Sequence, residues 1–326
     1  LARMIFNDPS STPEQTAQAL ERLTKAAEAG QDCAQYALGK IYRDGQGVEK
    51  DIQKAVALFT LAATKENSFA AFALGKLYLA GDAALPRDPA AALKWLTYAA
   101  ELGNQFAQYR LGKLLLKGDD GIPKDVITAI RWLTAAAKQE NGYAEYILAL
   151  VYLTGEDAPK DSVKALSLLK RSAGRGNQFA QYRLGKLLLQ GEDAPKDVKA
   201  AIRWLTAAAE QGNQYAQYAL GKLYLLGKEV PKDRSSAIKW FQLAADQGNE
   251  YAQYFLKHMD DRLGQPPVAA VISLFHHLAN IFQEQNQPPP SGGVRVAVDR
   301  KLLRKIKAKK IAQGHKADDH EPEMQL

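Results

Sequence analysis

The chain has 326 residues, 46% of them hydrophobic and 24% charged, with a formal net charge of +7 and one cysteine, Cys33. Such a composition belongs to a soluble folded protein with enough apolar residues for a continuous core, and it excludes an intramolecular disulfide framework or a thiolate metal cage within one chain. The lone cysteine fits a reducing cytoplasm, no signal peptide is legible, and no apolar run reaches membrane-spanning length, the nearest, Val268–Phe282, being broken by His276 and His277.

Taken in chain order, the first predicted element is a helix over Pro13–Ala29. It reads as the second helix of an incomplete leading unit that caps one end of a stack. From Cys33 one segment recurs: CAQYALGK from Cys33, FAAFALGK from Phe69, FAQYRLGK from Phe106, YAEYILAL from Tyr143, FAQYRLGK from Phe179, YAQYALGK from Tyr215 and YAQYFLKH from Tyr251. The starts are 36 or 37 residues apart, and Asn104–Leu116 is identical to Asn177–Leu189. Self-similarity at this period predicts a solenoid of stacked units.

Each unit reads as two helices. Helix A carries the recurring segment, with Leu74 and Leu77 at i, i+3 spacing. Helix B carries a stripe such as Ile202, Leu205 and Ala209. Asp88, Asp125, Asp161, Asp197 and Asp233 are placed to cap the B helices, and Pro86, Pro123, Pro159, Pro195 and Pro231 stand just before them. Gly30, Gly103, Gly176, Gly212 and Gly248 follow the B helices as left-handed terminators. Gly39, Gly75, Gly112, Gly185 and Gly221 share one register inside helix A, with Ala149 in the fourth unit. Glycine there costs about 1 kcal/mol against alanine, so its recurrence predicts a close helix–helix approach. The expected bulky partners are Trp95, Trp132, Trp204 and Trp240, with Phe59 and Leu169 assigned to the same register.

The pattern AxxxLGxxYxxG, then a proline–aspartate loop, then KAxxWxxxAAxxGN resembles the Sel1-like repeat, a relative of the tetratricopeptide repeat, over roughly residues 14–258. The resemblance implies an all-α, right-handed α–α superhelix of about six helix-turn-helix repeats of 36–37 residues. It also implies a non-enzymatic protein-interaction scaffold with the A helices lining the concave face. The expected organisation is a capping helix over 1–32, a solenoid over 33–260, and a C-terminal helix, linker and basic tail over 261–326.

Positions four and eight of each A segment share a helical face. They read Tyr36/Lys40, Phe72/Lys76, Tyr109/Lys113, Tyr146/Leu150, Tyr182/Lys186 and Tyr218/Lys222, with Arg110 and Arg183 beside two of the pairs. A ladder of lysines and aromatics suits an extended, acidic peptide or protein partner. The alternative is that the rings pack between repeats and the lysines form a solvated row. Cys33 occupies a slot filled by Phe or Tyr elsewhere and is expected to pack.

After Asp261 the repeat stops. Ten Lys/Arg against six Asp/Glu give the tail +4 and leave residues 1–261 with +3. Gly264–Pro267 reads as a breaker, Val268–Glu284 as an amphipathic helix and Gln285–Gly293 as a linker. Val294–Val298 alternates but is too short to stand alone as a sheet. Between Arg295 and Lys310 there are eight basic residues and one acid, among them Arg300, Lys301, Arg304, Lys305, Lys307, Lys309 and Lys310. This is either a solvated tail or an electrostatic contact for nucleic acid or an acidic protein. The stretch from Phe275 through PSGGVRVAVDRKLLRKIKAKKIAQGHKADDHE also resembles the extreme C-terminus of mobilisation relaxases from Gram-positive gut bacteria. That likeness implies an accessory role in DNA transfer, with any nicking domain upstream of Leu1.

Nothing in the sequence points to catalysis or to a cofactor. The histidines, His258, His276, His277, His315 and His320, do not recur with the repeat. There is no phosphate-binding glycine loop and no serine or cysteine nucleophile motif. A metal site, a membrane surface and a small-molecule substrate are not expected.

Overall fold

A computed structural model of the chain describes residues 12–118 and 121–259. The predicted helix over 268–284, the linker, Val294–Val298, the relaxase-like stretch and the basic tail residues Arg300, Lys301, Arg304, Lys305, Lys307, Lys309 and Lys310 lie outside the described residues.

The described chain is all helical. The B helices are α1 (Pro13–Glu28), α3 (Ile52–Ala63), α5 (Pro89–Glu101), α7 (Val126–Lys138), α9 (Ser162–Gly174), α11 (Val198–Glu210) and α13 (Arg234–Asp246). The A helices are α2 (Asp32–Asp44), α4 (Ser68–Ala80), α6 (Gln105–Lys117), α8 (Gly142–Thr154), α10 (Gln178–Gln190), α12 (Gln214–Leu226) and α14 (Glu250–Met259). Each A helix from α2 to α12 packs most extensively on the B helix that comes after it and less on the B helix before it, so the units stack as an α–α superhelical solenoid.

Short side chains set both joints of the unit. At the A-to-B joint, the six aspartates from Asp51 to Asp233 each accept a hydrogen bond from a first-turn N–H of the B helix at 2.9–3.0 Å. The same aspartates donate their backbone N–H to a carbonyl near the end of helix A, for example Asp161 N to Tyr152 O at 2.9 Å. One residue thus starts the B helix and closes the hairpin. Asp233, bonded to Ser235 and Ser236, is held at a pKa of about 2, the Ser236 hydroxyl being the largest cause.

At the B-to-A joint a left-handed residue is followed by an asparagine. Gly30, Gly103, Gly176, Gly212 and Gly248 have φ between 83° and 88°, and Glu66 and Glu140 take the same turn at φ 63° and 67°. The asparagines Asn67, Asn104, Asn141, Asn177, Asn213 and Asn249 then cap the A helices through Oδ1 at 2.9–3.1 Å. Gln31 leads α2 without a side-chain cap.

The core runs between the two layers. Helix A buries Leu38, Leu74, Leu111, Leu148, Leu184 and Leu220, and helix B answers with fully buried Ala55, Ala92, Ala129, Ala165, Ala201 and Ala237. Four residues on from each alanine comes the side chain that fills the glycine notch of helix A. A Cβ added at Gly39, Gly75, Gly112, Gly185 or Gly221 would lie 2.6–2.7 Å from Phe59, Leu96, Leu133, Leu205 or Phe241 respectively.

This corrects the register expected for the tryptophans. Phe59 and Leu169 align with Leu96, Leu133, Leu205 and Phe241, each of the last four standing one residue after a tryptophan. Trp95, Trp132, Trp204 and Trp240 are about 100° away around the helix, half-buried at the edge of the core. Arg131 and Lys239 sit over the Trp132 and Trp240 rings at 4.9 and 5.8 Å.

Neighbouring units are also tied along the loop edge. The ion pairs Lys50–Asp82, Lys124–Asp157, Lys160–Asp193 and Lys196–Glu229, at 2.6–2.8 Å, each join one A–B loop to the next.

Candidate functional site

Number each A segment from its recurrent first residue, so that Cys33, Phe69 and Phe106 are position one. Positions two, three, six and seven then face inward: in α6 these are Ala107, Gln108, Leu111 and Gly112, all buried. In the A helices from α2 to α12, positions one, four, five and eight form the opposite stripe and, apart from the buried Ala73, remain partly or fully open. The predicted residues Tyr36, Lys40, Phe72, Lys76, Tyr109, Arg110, Lys113, Tyr146, Tyr182, Arg183, Lys186, Tyr218 and Lys222 all fall on this stripe, and the repeat brings them into one continuous surface. A site formed by stacking needs no loop, because rigid helices hold it at fixed register.

The rings of the stripe touch from unit to unit. Each position-four ring meets the position-one ring of the next A helix: Tyr36–Phe69, Phe72–Phe106, Tyr109–Tyr143, Tyr146–Phe179, Tyr182–Tyr215 and Tyr218–Tyr251, with centroids 6.0–6.4 Å apart. The tilted pairs lie in the range where aromatic contacts stabilise beyond area burial alone. The tyrosines therefore do pack between repeats, and burial pushes the phenols of Tyr146, Tyr182 and Tyr218 above the usual tyrosine range.

Cys33 departs from the expectation of packing: it is exposed. Exposure is common at position one: Phe69, Phe179 and Tyr215 are exposed as well.

One stripe cation lies over a stripe ring. Lys76 Nζ is 6.0 Å from the Phe72 ring centre. Burial first, then the neighbouring Arg183, holds the Lys186 amine below the usual lysine range. Lys222 is lowered by burial, then by Lys186 and Lys228. Positive charges on this surface press on one another. An anion placed among these charges would relieve that repulsion.

Sequence reasoning missed a buried polar ladder on the inner side of the same helices. At position three, the buried Gln35, Gln108, Gln181 and Gln217 and the exposed Gln253 donate from Nε2 to a carbonyl of the preceding B helix at 3.0–3.1 Å. Gln108, Gln181 and Gln217 also accept from Gln139, Gln211 and Gln247 of the following B helix at 2.7–2.9 Å. Two units depart from this rule: the second has Ala71 at position three, and the fourth replaces the amide with a charge. Glu145, fully buried, stands for glutamine there, and Arg175 stands opposite in the place of Gln139, with Nε at 3.3 Å. Arg171 lies 2.6 Å from the same carboxylate and reaches the Ala137 carbonyl at 3.4 Å, the acceptor that glutamine Nε2 finds in the other units. The recurring Gln four residues after Asn is visible in the sequence, but only the stacked fold shows what it meets.

Among the described residues, no group of three or more His, Cys, Asp or Glu is arranged to hold a metal ion, and no helix is long and apolar enough to cross a membrane.

The Sel1 repeat pattern matches residues 34–67, 68–104, 105–141, 142–177, 178–213 and 214–249. A comparison with curated proteins gave no match. The fold is similar to that of a protective antigen present in uropathogenic Escherichia coli strains, at 34% identity and a TM-score of 0.69, over 81% of this chain and 56% of that one. It is also similar to a Sel1 repeat protein from Oxalobacter formigenes, at 32% identity and a TM-score of 0.68, over 79% of this chain and 74% of that one. The chain thus spans just over half the length of the E. coli relative. Six consecutive repeat matches, carried by the same caps, notches and inner ladder, place this chain in the Sel1 repeat family.

Proposed function

We propose that the chain is a non-enzymatic protein-interaction scaffold that holds an extended acidic segment of a partner along the concave stripe of its A helices. Sel1 repeats generally serve as protein-interaction scaffolds, which supports the broad part of this reading. The observation that carries the rest is the makeup of the stripe: seven cations and no acid at positions one, four, five and eight of α2, α4, α6, α8, α10 and α12. Rings in lateral contact supply a stiff apolar floor, and the cations supply attraction that acts from a distance and fixes orientation.

The test is binding of a fluorescein-labelled, aspartate- and glutamate-rich peptide, read by anisotropy. Lys113→Glu combined with Lys186→Glu is expected to weaken binding at least tenfold, and added salt is expected to weaken it for the unaltered chain. Binding that is indifferent to both changes sinks the proposal.

A second reading rests on the sequence of the tail. Eight basic residues and one acid between Arg295 and Lys310 suit an accessory region of a DNA-mobilisation protein that contacts nucleic acid through phosphates. A DNA gel shift with and without residues 295–316 distinguishes the two. A steep salt dependence that disappears on truncation supports this second reading.

A further inference from the structure

The cations of the stripe are not evenly spread. Positions five and eight read Ala37/Lys40, Ala73/Lys76, Arg110/Lys113, Ile147/Leu150, Arg183/Lys186 and Ala219/Lys222. The two units with a double charge are those identical over Asn104–Leu116 and Asn177–Leu189. Between them stands α8, whose stripe, alone among these six A helices, has no charge at all. Tyr146, Ile147 and Leu150 lie there half-buried, with part of each side chain open.

The charge that α8 does carry is turned the other way. Glu145 is fully buried on the inner face and paired with Arg171 and Arg175 at the end of α9, so it neither neutralises the flanking cations nor interrupts the apolar centre. Arg183 adds a second sign of an incomplete arrangement. Its Nε is buried and makes no hydrogen bond among the described residues, while its charge presses on Lys186. A guanidinium in that condition gains strongly from a carboxylate brought to its outer edge.

We infer that the stripe selects an extended peptide with one bulky apolar side chain flanked on both sides by carboxylates. The apolar residue rests on Tyr146, Ile147 and Leu150, and the acids reach Arg110–Lys113 on one side and Arg183–Lys186 on the other. Spacing comes from the repeat. Packed helices stand on the order of 10 Å apart, and an extended chain advances about 3.3 Å per residue. One unit therefore matches about three residues, and the preferred pattern is acid-x-x-apolar-x-x-acid.

This inference rests on the peptide-binding reading of the stripe, and the experiment separates the two. Three labelled peptides of equal length are titrated against the full chain: Glu-Ser-Gly-Leu-Ser-Gly-Glu, the same peptide with Leu replaced by Ser, and one with Leu moved next to the first Glu. The first is expected to bind at least tenfold more tightly than either of the others. Leu150→Lys is expected to erase that preference while leaving an all-glutamate peptide bound at least as tightly as before. Equal binding of all three peptides overturns the apolar-centre inference and leaves the acidic-peptide reading intact. No binding of any peptide, the all-glutamate one included, overturns both. An oligonucleotide of equal charge that binds as tightly as the first peptide also overturns the inference, because phosphate attraction alone would then account for it. The peptide series alters nothing in the protein, so its outcome does not depend on how Leu150→Lys folds.

Discussion

At the scale of single residues, the most informative position is Glu145. A carboxylate buried with its charge is tolerated only when paired, and removing its partners while leaving it in place is among the costlier changes a protein can suffer. Arg171 and Arg175 keep 50% and 32% of their side-chain surface in solvent, which tempers the effect. Arg171→Ala with Arg175→Gln is expected to cost about 2–3 kcal/mol, measured by urea unfolding. Adding Glu145→Gln to that pair is expected to recover most of the loss, because it rebuilds the Gln–Gln contact found in the adjoining units. If the triple variant is no more stable than the double, the carboxylate is not what the arginines serve. Glu66 offers an opposite case. It holds φ 63°, a conformation side chains rarely adopt, where five sister positions carry glycine. Glu66→Gly is expected to raise stability by about 0.5–1 kcal/mol, seen as a higher midpoint of thermal unfolding.

At the scale of helices, the unit depends on notch and cap. Gly112→Ala places a methyl 2.6 Å from Leu133 Cγ and 3.0 Å from the Ala129 carbonyl, so α6 and α7 must part. Overpacking of this kind costs about 1–3 kcal/mol, and the gain in helix propensity returns up to about 1 kcal/mol. A net loss of about 1 kcal/mol is expected, detectable as a lower urea midpoint with an unchanged slope. The caps set the acid response. Asp233 and Asp125 both titrate below the ordinary aspartate range, through bonds to Ser236 and Thr128 above all. Carboxylates with lowered folded pKa values contribute stability that is complete above the unfolded value near 4 and lost as pH falls through the folded one. Stability is therefore expected to drop between about pH 4 and pH 2, and Asp233→Asn is expected to flatten part of that drop in a circular-dichroism titration. The helices themselves are legible in the sequence, because period, cap and terminator residues repeat in register. The tryptophan assignment fails for a specific reason: size suggests the notch partner, whereas the i, i+4 spacing from Ala92, Ala129 and Ala201 decides it. Cys33 is misplaced by a reading of its slot as a packed one, because position one lies on the open side of the stripe, where Phe69, Phe179 and Tyr215 are exposed too.

At the scale of the array, stability is the sum of units and their contacts with neighbours. The loop-edge pairs Lys50–Asp82, Lys124–Asp157, Lys160–Asp193 and Lys196–Glu229 are solvent-facing, and such pairs are individually worth about 0–1 kcal/mol. Raising sodium chloride from about 0.05 to about 1 M is expected to lower the thermal midpoint by only a few degrees. A collapse in high salt would show that the edge, rather than the core, joins the units. The stripe is readable from sequence as a set of positions, since the repeat aligns them. Its division into two charged flanks and a neutral centre becomes visible once Glu145 is seen to point inward.

The identity of Asn104–Leu116 and Asn177–Leu189 has a genetic consequence. Two like segments 73 residues apart (177 less 104) are where a chain can be shortened or lengthened by unequal exchange. Glu145, Arg171 and Arg175 all lie between them, so such an exchange removes or copies the whole charged cluster together and leaves the position-three glutamine of the joined segment, Gln108 or Gln181, with a glutamine opposite. The same exchange carries Ile147 and Leu150 with it. In one event the lineage can lose or double the neutral centre of the stripe while every helix cap and glycine notch stays matched, so the charge pattern of that face can change by heredity without disturbing the joints of the fold.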